Sequence, residues 1–474
     1  MAGIESFGAY IPIYRLSRDE IARAWGERSA GGEKSIANYD EDSLTMAVEA
    51  ATDCLTGIDR KQIDALYFAS TTVPYRDKQI ASILAVALDL RKDIFTMDIS
   101  NSPRGATNAM MAAINAINSG SARKVLITAS DLRVPAPKSE MEVYFGDGAA
   151  ALLLSDSEVA VNIEGSYTVS SEFMDLWRPE NERTYYTWED RFIYDEGYLK
   201  MVPAAISEVT KKYGLTPKDF TKVVFNGPNA RRHREVVRKI GLDAKTQVQD
   251  AMLNSVGDTG TASSLMILVA ALEEAKPGDR ILLANYGDGC DTFILRVTEQ
   301  IEKIKGNRRG IKRHLASKMM LSNYEKYIRY RNLMDWEPER HPPHTSSLSL
   351  SWRESKQILA LHGQKCKHCG GIQFPMQRVC AWCQTKGELE EVRLADTKGE
   401  LFTFSMDERL AMDVDLPSIS AVVNLDGGGR FWGIMTDRDP AKIEVGMPIE
   451  LAFRKIQDSS GIHNYFWKAR PVRC

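Results

Sequence analysis

Short, almost wholly apolar runs recur along the first 300 residues. They are Ala65-Leu-Tyr-Phe-Ala-Ser70, Lys124-Val-Leu-Ile-Thr-Ala129, Ala149-Ala-Ala-Leu-Leu-Leu154, Lys222-Val-Val-Phe225 and Arg280-Ile-Leu-Leu-Ala284. Runs this short, with no polar alternation, predict strands covered on both faces. Between them the apolar spacing becomes helical. Asp42 to Leu55 carries small and apolar residues at helical intervals, and Thr261 to Glu274 does the same. Thr107 to Ile117 is apolar almost all round, which predicts a helix sealed inside the protein. Strands alternating with helices predict a layered α/β fold.

The pattern runs twice. A strand, a turn at Gly105 and a buried helix in the early half are matched later by Gly257, Gly260 and the helix after them. Each half ends in a Gly-Asp-Gly turn, Phe145-Gly-Asp-Gly148 and Tyr286-Gly-Asp-Gly289. An internal duplication is expected. From Lys303 to Arg331 the character changes: ten Lys and Arg face one acid, Glu325. This reads as a basic helical linker, closed by the breaker cluster His341-Pro-Pro-His-Thr-Ser-Ser347. It is expected to be a solvated bridge, with a docking strip for an acidic surface or for phosphates as the alternative. After it, short strand runs at 391–394, 400–405, 418–424, 430–435 and 448–454 are punctuated by Gly, Asp and Pro, which suits a small barrel of the OB type. The expected domains are 1–300, a linker at 301–347, a helix with a metal module at 348–390, and a barrel at 391–474.

Composition narrows the class. The chain has 474 residues, 43% hydrophobic and 26% charged, enough apolar material for a large core. A net charge of −3 argues neither for nor against nucleic acid, and no recognised RNA- or DNA-binding module accompanies the basic run. No apolar stretch is long enough to cross a membrane, and the start lacks the layout of a signal peptide. Seven cysteines, four of them within eighteen residues, suit a reducing cytoplasm and a metal site better than a disulfide framework.

Those four form two knuckles, Cys366-Lys-His-Cys369 and Cys380-Ala-Trp-Cys383, ten residues apart. Two knuckles supply the four soft ligands that tetrahedral zinc prefers, and four thiolates leave no open position for water. The site is expected to be structural. His368 is a spare ligand expected to face solvent. Residues 350–474 resemble the DUF35 family, through Cys366-Lys-His-Cys-Gly370, Gln373-Phe-Pro-Met-Gln-Arg-Val-Cys380, Gly399-Glu-Leu-Phe-Thr-Phe404 and Ile443-Glu-Val-Gly-Met-Pro-Ile449. That resemblance implies a leading helix at Trp352 to His362, a zinc ribbon and an OB-fold. It further implies a role beside a thiolase-type enzyme, with the OB-fold binding or positioning acyl-CoA.

The first 300 residues resemble hydroxymethylglutaryl-CoA synthase, of the thiolase superfamily. The markers are Gly8-Ala-Tyr-Ile-Pro-Ile-Tyr14, Phe145-Gly-Asp-Gly-Ala-Ala150, Asp175-Leu-Trp-Arg-Pro179, Gly257-Asp-Thr-Gly-Thr-Ala-Ser263 and Tyr286-Gly-Asp-Gly289. The resemblance implies a five-layered αβαβα sandwich of two similar halves, a homodimer, and three catalytic groups: a cysteine that attacks a thioester, a histidine and a glutamate. Matched to that pattern, Pro103 stands at the cysteine position, Thr71 at the glutamate and Asn226 at the histidine. All three groups are absent. The same 300 residues hold only Cys54, Cys290 and His233 of those two residue types. Cys54 is expected to pack a core, and His233, in Arg231-Arg-His-Arg234, to lie in an exposed turn. Cys290 adjoins the Gly287-Asp-Gly289 loop, which borders the active site in the family, yet no base stands beside it in sequence. Gly257, Gly287 and Gly289 are the candidates for close backbone approach to a CoA ester.

Two functions fit. One is an acyl-CoA-binding subunit that lacks the catalytic set and works beside a thiolase-type partner. The other is a cysteine-independent acyl-CoA lyase, retro-aldol or decarboxylating, with Asp288, Tyr286 and Asn226 as candidate groups. A divergent hydroxymethylglutaryl-CoA synthase using Cys290 is a third.

Overall fold

The computed structural model describes residues 2–335, 345–408 and 415–473, so His341 to His344 of the breaker cluster, and Cys474, lie outside the described residues. The chain forms two compact units. The first holds Met1–Ala37, Asp42–Ala81 and Arg91–Leu333; the second holds Met334–Cys474 together with Asn38–Glu41 and Ser82–Leu90.

The first unit is built on a nine-stranded sheet. Its strands, in chain order, are β1 Gly3–Tyr10, β2 Ala65–Ala69, β3 Phe95–Ile99, β4 Lys124–Asp131, β5 Gly148–Ser155, β6 Val161–Ser170, β7 Lys222–Phe225, β8 Arg280–Tyr286 and β9 Gly289–Val297. In space they run β7-β8-β9-β6-β1-β5-β4-β2-β3. The duplication is visible in the pairing. In the first half β2 runs parallel to β4, β4 antiparallel to β5, and β5 antiparallel to β1. In the second half β7 runs parallel to β8, β8 antiparallel to β9, and β9 antiparallel to β6. The counterpart of β3 is reduced to a single parallel bridge, Val223 to Val248. Within the sheet the halves pair through β1 and β6, Gly3 with Asn162 and Ile4 with Val161.

The expected helices form at Ser43–Cys54, Gly105–Asn118 and Ser263–Glu274. Asp42 caps the first through a reciprocal bond with Thr45, which satisfies backbone donors the helix cannot. The other two carry little amphipathic contrast because both are buried within one apolar cluster with strands of both halves. This is the thiolase-like layered arrangement that the resemblance implied.

The basic stretch after residue 300 differs from the expected solvated bridge. Through Leu333 it belongs to the first unit. Tyr327 is wholly buried, Arg308 donates to Ser6 Oγ at 2.8 Å, and Arg331 forms a buried pair with Asp147. Lys312 and Lys318 reach Glu274 and Glu33 at 3.2 and 2.7 Å. Much of the positive charge is therefore consumed within the unit. A charge run seen in sequence does not reveal the acceptors waiting elsewhere in the chain.

The second unit holds two small sheets. Strands β10 His362–Cys366, β11 Ile372–Gln373 and β12 Leu389–Arg393 form one. Strands β13 Gly399–Asp407, β14 Ser418–Leu425, β15 Arg430–Ile434, β16 Pro448–Ser459 and β17 Ile462–Pro471 form the other, in the order β15-β14-β13-β16-β17. A bridge from Met435 to Ala469 brings the two ends together, closing the expected barrel. The leading helix is two shorter pieces, Leu348–Arg353 and Ser355–Ile358, rather than one helix over 352–362. A buried ionic network lies in this unit: Arg454 reaches Asp437 at 2.7 Å and Glu41 at 3.1 Å, and Lys468 reaches Asp40 at 2.8 Å.

Candidate functional site

The first unit contains a cavity of about 490 Å³. Thr71, Pro103 and Asn226, far apart in sequence, all line it. Each is delivered by a strand end or a helix start. Thr71 follows β2 and its N–H donates to Asp131 Oδ1 at 2.7 Å. The other oxygen of Asp131 accepts from the N–H and hydroxyl of Thr261 at 2.8 and 2.7 Å. That one buried carboxylate ties the end of β2 to the turn that opens the Ser263–Glu274 helix. Pro103 precedes the Gly105–Asn118 helix, and the amide of Asn285 donates to its carbonyl at 3.4 Å.

Asn226 follows β7. Its side-chain amide donates to Tyr286 O at 3.1 Å and its oxygen accepts from Tyr286 N at 2.9 Å. Both ends of the amide are thus spent on the backbone of the Tyr286 turn. In that turn Gly287 lines the cavity, and a Cβ there would stand 3.0 Å from Arg104 N and 3.3 Å from Pro103 Cβ. Only glycine allows so close an approach. Asp288 takes a left-handed φ of 46° and accepts from Ser102 Oγ at 2.7 Å.

Tyr286 reaches across the cavity and donates its hydroxyl to Asp175 Oδ2 at 2.7 Å. Burial raises the Asp175 carboxyl above its ordinary range, and burial together with Asp175 raises the Tyr286 phenol. The pair therefore keeps its proton on Tyr286. Arg133 is held by Asp258 at 2.8 Å and lies 3.7 Å from the Phe145 ring centroid. Glu140 also lines the cavity, its carboxyl raised by burial and by Asp190.

The remaining candidates lie elsewhere. Cys290 is not among the lining residues; it is buried in an apolar cluster with Phe225, Val236 and Tyr198, of which Tyr198 lines the cavity, and burial pushes its thiol far above the ordinary range. Gly289 and Gly257 are not among the lining residues. They adopt φ of 122° and 95° and let the backbone pass close to Val169 O and Tyr144 O. His233 differs from the exposed turn expected of it. It is buried in the Ala230–Ile240 helix, stacked on Phe225 with ring centroids 4.1 Å apart, and burial lowers its pKa to about 4. Its charged neighbours point outward while His233 shares the inward face with Val236 and Val237. Cys54 packs in the core as expected.

Sequence reasoning quoted Asp175 as a motif residue but did not place it in the site. The partner that gives it meaning, Tyr286, is 111 residues away. Arg133 and Glu140 carried no sequence signal.

In the second unit the four knuckle sulfurs lie within 4.8 Å of one another. Cys366 and Cys383 Sγ are 3.7 Å apart, and Cys369 and Cys380 Sγ 3.6 Å. Tetrahedral zinc with Zn–S bonds of ~2.3 Å demands S–S separations of about 3.8 Å. The donor set and its spacing fit zinc. His368 is exposed, as expected.

Comparison with known proteins matches residues 97–172 to the 3-oxoacyl-[acyl-carrier-protein] synthase III family model and residues 210–296 to the model of its C-terminal part. Residues 391–454 match the family described as ChsH2, C-terminal OB-fold domain. The hydroxymethylglutaryl-CoA synthase of Pyrococcus horikoshii is 32% identical over 341 residues, 70% of this chain and 93% of that protein. That of Methanopyrus kandleri is 32% identical over 340 residues, 69% of this chain and 97% of that protein. Among solved structures, MvaS in complex with 3-hydroxy-3-methylglutaryl coenzyme A superposes with a TM-score of 0.64 at 21% identity, over 73% of this chain and 95% of that one. An HMG-CoA synthase complexed with CoA superposes with a TM-score of 0.61 at 22% identity, over 69% and 89%. These two likenesses bear on the fold.

Proposed function

The chain belongs to the hydroxymethylglutaryl-CoA synthase family, and we propose that it is the acyl-CoA-binding subunit of a thiolase-type complex that forms or cleaves a C–C bond, without itself forming an acyl-enzyme. The observation that carries this reading is the occupancy of the cavity wall. Pro103, Thr71 and Asn226 stand around one chamber, and none of them is a thiol, an imidazole or a carboxylate. Covalent thioester chemistry needs an activated nucleophile beside a base. Cys290 and His233, the nearest substitutes by type, are buried outside the lining, one with a raised thiol pKa and the other held neutral. Support for CoA as the ligand comes from the relatives, one of which was solved with CoA bound.

The rest of the assembly follows from the same reading. The large unit forms a homodimer. A separate thiolase-type subunit brings the cysteine and histidine. Cys366, Cys369, Cys380 and Cys383 hold one structural zinc, whose role is to fold the ribbon, since four thiolates leave it no open position. Cysteines outside disulfides suit the cytoplasm.

A second reading is favoured by the Asp175–Tyr286 pair. In retro-aldol cleavage of a β-hydroxyacyl-CoA, Asp175 would accept the β-hydroxyl proton as the Cα–Cβ bond breaks and a carbonyl forms at Cβ. Tyr286 would protonate the released enolate and recover its proton from Asp175. No cysteine is required.

The test uses the full chain. It is titrated with acyl-CoA esters by calorimetry, its intact mass is read after incubation with acetyl-CoA, and co-purifying proteins are identified. Binding without a covalent adduct, and turnover only with a partner, is the expected outcome. An acyl adduct on the chain overturns it. Cleavage of a β-hydroxyacyl-CoA by the lone chain, lost in Asp175→Asn, establishes the second reading instead.

A further inference from the structure

The walls of the cavity carry information about what the acyl group is. Phe145 and Tyr185 meet edge to face, ring centroids 5.7 Å apart at 89°. Across the chamber Tyr198 and Tyr286 meet in the same way, 5.4 Å apart at 80°. Phe173 and Trp177 line it as well. The ring wall is built into the backbone: a Cβ on Gly197 would come within 2.6 Å of both Phe173 Cε1 and the Tyr286 hydroxyl. Glycine at 197 is what lets those two side chains converge.

Size and charge point the same way. An apolar cavity of about 150 Å³ is enough to hold benzene, and this chamber has about 490 Å³. A two-carbon acyl group would leave most of the ring surface facing water, a cost roughly proportional to apolar area left uncovered. Edges and faces of aromatic walls favour another ring. Glu140, Asp175 and Asp190 line the chamber, which opposes an acyl tail ending in a carboxylate. The two arginines of the lining are already engaged. Arg133 holds Asp258, and Arg178 donates to Thr71 O at 3.0 Å and Glu182 O at 3.4 Å.

We propose that the acyl group accepted here is neutral and carries an aryl ring or an apolar body of similar bulk. The inference rests on the acyl-CoA reading above. The test is calorimetric titration of the full chain with phenylacetyl-CoA, acetyl-CoA, succinyl-CoA and free CoA. Phenylacetyl-CoA is expected to bind at least tenfold tighter than acetyl-CoA, with succinyl-CoA no tighter than acetyl-CoA. Equal affinity for all esters within twofold, or a preference for succinyl-CoA, overturns the proposal and leaves the acyl-CoA reading standing. Binding of none of the four removes the acyl-CoA reading and this proposal with it. Phe173→Ala is expected to cut the affinity advantage of phenylacetyl-CoA over acetyl-CoA below threefold. An undiminished advantage in that variant, with an unaltered circular-dichroism spectrum, counts against the ring wall as its source.

Discussion

The two units use cysteine in opposite ways. In the first, Cys54 and Cys290 are fully buried among apolar neighbours, and burial pushes the Cys54 thiol up to about 12 and Cys290 further still. In the second, four sulfurs converge within 4.8 Å, one of them on an exposed residue, Cys369. The first environment removes thiolate chemistry; the second gathers four sulfurs into a set that fits zinc. What a cysteine does is decided by the groups that would share its charge. In the large unit Arg308 and the Ser6 hydroxyl act against the rise at Cys54, and Arg104 against the rise at Cys290, but burial outweighs them.

The sharpest way to break this contrast is at the knuckles. Cys366→Ser combined with Cys369→Ser should abolish metal binding. Structural zinc contributes on the order of 10 kcal/mol to small metal domains. Elemental analysis should fall from one zinc per chain to none, and limited proteolysis should cut between residues 366 and 389. A doubly substituted chain that resists protease as well as the unaltered one would end the structural-zinc reading.

Next in size is the charge buried in the second unit. Asp437→Asn leaves Arg454 short of its closest carboxylate, a loss of about 3–5 kcal/mol for a buried pair. The carboxyl of Asp437 is wholly buried. That burial acts against its ionisation, but Arg454 and the arginines beside it outweigh it, and the pKa falls from 3.8 to about 2. A depressed carboxyl stabilises the fold above its unfolded value and loses that contribution as pH falls through the folded one. The difference amounts to about 2 kcal/mol, present above pH ~4 and lost towards pH ~2. Denaturant melts across that range should show the loss in the natural chain and not in Asp437→Asn.

Asn226→Ala removes two hydrogen bonds to the Tyr286 backbone, worth about 1–2 kcal/mol together. Because that turn carries Gly287 and Asp288 along the cavity, acyl-CoA affinity should also fall severalfold in titration. Affinity equal to the natural chain would mean that the turn holds its shape without the amide. The smallest effect belongs to Cys290→Ala: about 1 kcal/mol of packing in a denaturant melt and acyl-CoA affinity within twofold. Loss of all binding or activity there would revive Cys290 as a functional thiol.

The elements most legible in sequence were those with an unbroken apolar run or a clear helical spacing. The run from Lys222 to Phe225 is a strand at those bounds, and the Asp42-to-Leu55 pattern gives a helix at Ser43–Cys54. The long strand Val161–Ser170 is not among the apolar runs because it is mostly half-buried or exposed and carries polar residues along its length. Of the positions a family pattern marked, Thr71, Pro103 and Asn226 line one cavity. What was not legible depends on partners distant in sequence. Arg308 finds Ser6, Arg331 finds Asp147, and Asp175 finds Tyr286. Periodicity says which face of an element is apolar; it does not say which acceptor lies across the gap.

The sheet joins its halves through two residue pairs, and this bears on the order in which the chain becomes structured. Every strand of the first half has been synthesised once Ser155 is added, so β1 can pair with β5 while the second half is still being made. The second half cannot finish until β9 arrives and pairs back onto β6, Val297 meeting Val161. Such a distant closure is slow, and it leaves the open edge of β6 exposed to other chains meanwhile. The first half must wait for the Ser263–Glu274 helix to complete its apolar cluster, and that interval is when a chaperone has most to protect.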